Sequence, residues 1–389
     1  MNTGTLIAPA ERTELLGFSD IVKIRNRVLE MIARGQRVIR LEGGEPFLGT
    51  PDLVKQAMKD ALDANQTRYA PSSGVPQLID AIRSKLAAKN ALSAGENNII
   101  VTSGGAHGLF CAFQATVNPG DEVLFFAPYW TPIADQIRYS GGVGVRVPWS
   151  ETRGRGDLRD VLQQRVTGRT RVLYLNSPSN PTGDVLTREQ LQSVADFAIA
   201  NNLVVIADEA YEDLVYDGEH VSLASLPQMF ARTLTIYTLS KSYAMTGWRV
   251  GYVVADETFM KPLRKLVLNS VNGISTPSQF AAAAAVAHGQ QALRDAVPQY
   301  RRRRDLLVDA LNEAGFRCPT PPGAFYLFVD ARERLGNDSW AAMEQLLSRT
   351  SIASVPGVVF GPEGEGHLRV SFSTSMETLE EAAAALKQL

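Results

Sequence analysis

Between residues 98 and 208, short and almost wholly apolar runs alternate with segments of helical spacing, and this alternation constrains the fold more than any other feature. The runs are 99–102, 122–127, 171–175 and 203–207. Strands that are apolar throughout are buried on both faces, and strands joined by helices return in the same direction. The pattern therefore predicts an α/β fold with a mostly parallel sheet covered by helices. Ligands of such sheets sit beyond the carboxyl ends of the strands. The residues predicted there are Ser103 to Ala106, Trp130, Asn180, Asp208, Tyr211 and Lys241.

The flanks read differently. Ile21, Ile24, Val28, Leu29 and Ile32 are spaced as one helical face, closed by Gly35, and 38–41 reads as a short strand before L-E-G-G-E-P. After Glu257 the chain reads as helix to about Gly315, then as strand (G-A-F-Y-L-F-V-D), helix (339–350) and a last strand (H-L-R-V-S-F-S). This predicts a smaller α+β domain. The expected division is 1–46 packing with the small domain, 47–287 as the large domain, and 288–389 as the small one.

A net charge of -2 over 389 residues provides no general footprint for nucleic acid or anionic membrane. The one basic run, 301–304, falls in a helical stretch and reads as a solvated or ion-paired face. No apolar run approaches the roughly 18 residues that span a bilayer, and the first residues do not read as a secretory signal. Two distant cysteines, Cys111 and Cys318, support neither a disulfide framework nor a metal site. A cytoplasmic protein is expected.

The stretch T-L-T-I-Y-T-L-S-K-S-Y-A-M-T-G-W-R-V-G-Y-V-V-A delivers Lys241 from a β-rich run into a small polar turn, with Arg249 eight residues on. Alone, Lys241 is equally a loop lysine or a desolvated amine nucleophile. S-G-G-A-H-G opening a helix is either a turn or a phosphate cradle of backbone N–H groups at a helix N-terminus. Arg249 could clamp the same phosphate. Trp130 is either core or a platform for a flat ring. Asp208, in V-V-I-A-D-E-A-Y, is a carboxylate in apolar company that needs a cation, and Tyr211 can donate a phenolic hydrogen bond. An amine, a phosphate cradle, a ring stacker and an acidic partner for a ring nitrogen together specify pyridoxal 5′-phosphate.

The chain also resembles the class I/II aminotransferases of pyridoxal-phosphate fold type I, most of all the bacterial aspartate/aromatic branch. The motifs that carry the resemblance are N-S-P-S-N-P-T-G, D-E-A-Y, S-K-S-Y-A-M-T-G-W-R-V-G-Y and H-L-R-V-S-F-S, and it extends from about Leu41 to Ser373. It implies a mostly parallel seven-stranded sheet and transamination of an L-amino acid with a 2-oxo acid. By motif position, Lys241 matches the cofactor-attaching and proton-shuttling lysine, and Asp208 the ring-nitrogen partner. Asn180 and Tyr211 match the groups on the ring 3-oxygen. Gly105, Ala106, Arg249 and Ser240 or Thr238 match the phosphate contacts. Tyr69 matches a tyrosine that reaches the neighbouring subunit's phosphate, which implies a homodimer with shared sites. Arg369 matches the arginine for the substrate α-carboxylate, and Gly44 the glycine lining that side.

One position departs. Relatives that prefer aspartate carry a lysine where this chain has Ala106, so a donor with a neutral or aromatic side chain is expected, with 2-oxoglutarate or pyruvate as acceptor. Two other readings remain on the same fold. One is a pyridoxal-phosphate lyase; the other is an aminotransferase for basic amino acids, read by Glu45 or Asp20. A non-catalytic ligand sensor is a third, distant one.

Overall fold

A computed structural model describes residues 9–389. Among these described residues, twelve strands form three sheets. They are β1 (Ile39–Arg40), β2 (Ile99–Thr102), β3 (Glu122–Ala127), β4 (Val143–Pro148), β5 (Thr170–Asn176), β6 (Val204–Asp208), β7 (Thr233–Thr238), β8 (Gly251–Val254), β9 (Tyr326–Asp330), β10 (Ile352–Ala353), β11 (Val355–Pro356) and β12 (His367–Ser371).

The central sheet has seven strands in the order β2-β8-β7-β6-β5-β3-β4. β3 to β7 pair in parallel, and β8 runs antiparallel to both β7 and β2. The predicted runs are all strands, because residues such as Ile100, Val123, Leu173 and Ile206 are fully buried between helical layers. β4 was not among the runs predicted from sequence. It is the sheet edge, with only Val147 of its six residues buried, so its sequence (V-G-V-R-V-P) lacks the signature of a two-faced strand.

Four helices precede or enter this sheet: α1 (Asp20–Ala33), α2 (Asp52–Asp63), α3 (Pro76–Lys89) and α4 (Gly104–Thr116). α4 leaves β2 after a single residue, Ser103, whose side chain makes no capping hydrogen bond. The first-turn N–H groups of α4 are therefore left for another acceptor.

A second core gathers Leu307, Leu311, Phe325, Leu346, Phe372 and Leu379 around the antiparallel sheet β11-β12-β9. Ile39 and Leu41 are buried in it, and β1 pairs in parallel with β10. Tyr211 and Leu214, just past β6, belong to the same cluster. The two cores therefore meet at the carboxyl end of the central sheet, where β5 and β6 stop in register at Asn176 and Asp208. Among the described residues, no helix is long and apolar enough to cross a membrane.

Candidate active site

A cavity of about 800 Å³ opens at that junction. Every strand-end residue singled out above contributes to it or borders it. Gly105, Ala106, Trp130, Asn180, Asp208, Tyr211, Thr238, Ser240, Lys241, Arg249, Arg369 and Gly44 all line it. Ser103 reaches it through its carbonyl, which accepts a hydrogen bond from Arg249 at 3.2 Å. Tyr69 does not line it and is 88 % exposed.

Asp208 ends β6 and is 5 % exposed. Its Oδ2 accepts from the Tyr174 hydroxyl at 3.0 Å, and its Oδ1 from the Ala210 N–H at 3.2 Å. No lysine, arginine or histidine forms an ion pair with it among the described residues. Burial therefore dominates over those two hydrogen bonds and pushes the carboxyl up to about 6. A carboxylate buried this way is costly until a cation arrives.

Lys241 lies just past β7, on a short turn of helix, and donates to the Gly44 carbonyl at 2.6 Å. Its amine is desolvated, and with Arg369 also repelling the charged form it is pushed down to about 8. Lysines with lowered values are usable nucleophiles and bases near neutral pH.

Arg249 adopts the left-handed region, φ 56°, at a cost of about 1–2 kcal/mol for a side-chain-bearing residue. Its guanidinium sits against the Thr246 carbonyl at 2.8 Å and the Ser103 carbonyl. Gly104, itself at φ 76°, is required there, since a Cβ would stand 2.6 Å from an Arg249 nitrogen. The uncapped start of α4 and this guanidinium form one anion-binding corner, with the Ser240 and Thr238 hydroxyls beside it.

Arg369 projects from β12 and is 2 % exposed. It donates to Asn180 Oδ1 at 3.3 Å and to the Glu42 carbonyl at 2.8 Å, while its Nε has no partner. The guanidinium carbon lies over the Tyr326 and Phe360 rings, 4.5 and 4.9 Å from their centroids. A buried guanidinium with an orphaned N–H suits a carboxylate that arrives from outside.

These residues fit pyridoxal phosphate on their own chemistry. The cationless carboxylate suits a protonated ring nitrogen, the anion corner a phosphate, and the amine an aldehyde. The family model described as aminotransferase class I and II matches residues 36–386. The chain belongs to the class I and II aminotransferases. The enzyme is 39 % identical to a probable aspartate/prephenate aminotransferase of Aquifex aeolicus, over 97 % of this chain and 98 % of that protein. Among solved structures, it is similar to the aspartate aminotransferase of Thermus thermophilus with maleate, at 35 % identity and TM-score 0.93, covering 99 % of this chain and 100 % of that one. It is also similar to an aromatic aminotransferase of Pyrococcus horikoshii, at 37 % identity and TM-score 0.89, covering 97 % of each. The fold is that of these enzymes, and the enzyme is a transaminase.

Several residues of the site were not anticipated from sequence. Tyr174, inside β5, holds Asp208, and Tyr326, at the start of β9, meets the Tyr211 hydroxyl at 2.9 Å. Both look like strand core in the sequence, and only the pairing of distant elements turns their hydroxyls inward. Arg25, Arg40 and Glu42 also line the cavity. Of the two acids considered for basic substrates, Glu45 lines it, whereas Asp20 is spent on Lys23 at 2.8 Å and does not.

Proposed function

We propose that the cavity holds pyridoxal 5′-phosphate and that the enzyme passes an amino group from an L-amino acid to a 2-oxo acid by a ping-pong mechanism. One observation carries this reading: a lowered-pKa amine, a cationless carboxylate, an anion corner and an arginine with an orphaned N–H all line one cavity. When bound, the cofactor supplies an aldehyde that condenses with amines and a protonated ring that accepts the electron pair left when the Cα–H bond breaks.

The chain's own groups divide the work. Lys241 Nζ would hold the cofactor's aldehyde carbon, and once free would take the Cα proton as general base and give it up again as general acid. Asp208 would keep the ring nitrogen protonated, with Tyr174 and the Ala210 N–H fixing the carboxylate. Asn180 and Tyr211 would hold the ring 3-oxygen, and Trp130 would offer the ring a flat face. Gly105, Ala106, Ser240 and Arg249 would hold the phosphate. Arg369 takes the α-carboxylate, its fork fixed by Asn180 and the Glu42 carbonyl, with Gly44 on the same side.

Further parts of the reading extend beyond this single cavity. Tyr69, exposed and outside the cavity, reaches the phosphate of a neighbouring subunit in a homodimer. The chain divides into 1–46, 47–287 and 288–389, the first eight residues lying outside those described. The protein works in the cytoplasm.

The donor has a neutral or aromatic side chain, because Ala106 offers no charge and Ile21, Val22, Leu109 and Trp130 line the cavity with apolar surface. The relatives' names do not choose, since they include both aspartate and aromatic enzymes at similar identity. In a donor screen, kcat/KM for apolar donors is expected to exceed that for aspartate by about tenfold or more. Aspartate as the fastest donor by a wide margin would rule this out.

The amine also sets a pH dependence. Below its value of about 8 the neutral fraction of Lys241 rises about tenfold per pH unit, and above it levels off. Uptake of pyridoxal phosphate by cofactor-free protein, followed by visible absorbance, should climb with pH and flatten near 8. A flat profile throughout would contradict capture by this amine.

A further inference from the structure

The cavity holds five cationic side chains: Lys241, Arg249, Arg369, Arg40 and Arg25. Four are engaged by the protein. Lys241 donates to the Gly44 carbonyl and Arg249 to two carbonyls at the anion corner. Arg369 is held by Asn180 and the Glu42 carbonyl. Arg40 is locked onto the Glu42 carboxylate through two nitrogens, at 2.9 and 2.8 Å. Arg25 alone has no hydrogen-bond or ion-pair partner among the described residues, although other charged side chains of α1 find one, as Lys23 does with Asp20 and Arg27 with Glu344.

The placement of Arg25 is set by α1. Ile24 and Val28 anchor the helix, Ile24 against Val355 and Phe360 and Val28 against Leu347 and Ala353. Ile21, Val22 and Arg25, spaced three and four apart, then form the face that borders the cavity. An apolar pair followed by an unpaired guanidinium is a wall with a charged end. A substrate held by Arg369 would share one cavity with this face of α1.

We infer that Arg25 binds the second carboxylate of a dicarboxylic substrate, the acceptor 2-oxo acid and the amino acid made from it. This rests on the transaminase reading above and narrows the acceptor from 2-oxoglutarate or pyruvate to the dicarboxylic class. Besides Asp208, two carboxylates line the same cavity: Glu42 is paired with Arg40 through one of its oxygens, and Glu45 has no ion-pair partner among the described residues. An apolar donor and a dicarboxylic acceptor then share one cavity, the first using Ile21 and Val22 and the second adding Arg25.

The test compares Arg25→Gln and Arg25→Lys with the holoenzyme, using 2-oxoglutarate and pyruvate as acceptors and one apolar donor. Arg25→Gln is expected to lower the ratio of kcat/KM for 2-oxoglutarate over pyruvate by about tenfold or more, the scale of a lost charge-assisted hydrogen bond at a partly exposed site. The effect should fall mainly on KM, and Arg25→Lys should recover part of it. Lys23→Gln, on the same helix but outside the cavity, should leave the ratio where it was. Calorimetry adds a readout without turnover: glutarate should bind the holoenzyme more tightly than butyrate, and Arg25→Gln should remove the difference. An unchanged ratio in an active Arg25→Gln enzyme, or a wild type that uses pyruvate but no dicarboxylic acceptor, overturns the assignment and leaves transamination standing. A wild type inactive with every donor and acceptor pair overturns the transaminase reading itself.

Discussion

Lys241→Ala is expected to reduce transamination by at least about 10⁴-fold while leaving the protein folded. A positioned acid–base group supplies about 10²–10⁴-fold by itself, and this residue is proposed to serve as the cofactor's attachment point as well. Among the described residues no other amine lines the cavity, and the remaining cations there are guanidiniums, which do not deprotonate near neutral pH. Rescue by a neighbouring residue is therefore not expected. The fold should survive because the ammonium contributes a single hydrogen bond, to the Gly44 carbonyl, against a desolvation that opposes its charge. Turnover, far-ultraviolet circular dichroism and the visible absorbance of bound cofactor, measured together, decide it. Retained turnover in a folded variant would refute the assignment of Lys241.

Asp208→Asn is expected to pull function and stability in opposite directions. With the proposed cofactor bound, the carboxylate would pair with a protonated ring nitrogen, and stripping one partner from a buried pair costs about 3–5 kcal/mol, or about 10²–10⁴-fold if expressed in rate. In the cofactor-free protein the same carboxylate has no cation, and burial raises it to about 6. A carboxyl raised above its unfolded value destabilises the fold once it ionises: the cost is absent below the unfolded value, grows as pH rises, and is complete above about 6. The shift corresponds to about 3 kcal/mol at neutral pH. Asparagine removes the charge and can still accept from Tyr174 or the Ala210 N–H. The cofactor-free variant should therefore melt higher than wild type at neutral pH, with the gap closing as pH falls through 6. A variant that is less stable at every pH would mean that Asp208 is held by attraction rather than strain.

Asp208 and Lys241 were legible in the sequence because each ends an apolar run, where a charged group is out of place unless it has a task. Arg369 was different. In H-L-R-V-S-F-S it reads as an ordinary strand arginine, and only the resemblance raised it. Its burial against Tyr326 and Phe360, with Nε orphaned, depends on β12 pairing with β9 and on the approach of residues 42–44 from the other end of the chain. Edge strand β4 was missed for a related reason, since a strand buried on one residue carries no two-faced apolar pattern.

Local spacing alone determined the α/β architecture, the central strands apart from β4, and which residues stand at strand ends, while their chemistry followed only from taking them as a set. Each is a property of neighbours in sequence, because a buried strand must be apolar and the residues just past its carboxyl end emerge from the sheet. Tertiary structure alone decided how the site is tuned. Tyr174 against Asp208, Tyr326 against Tyr211, and the placing of Arg25 in one cavity with Arg369 are arrangements that no single motif contains. Desolvation and charge pairing depend on what surrounds a group in space, and those surroundings come from segments as far apart as residues 25 and 369.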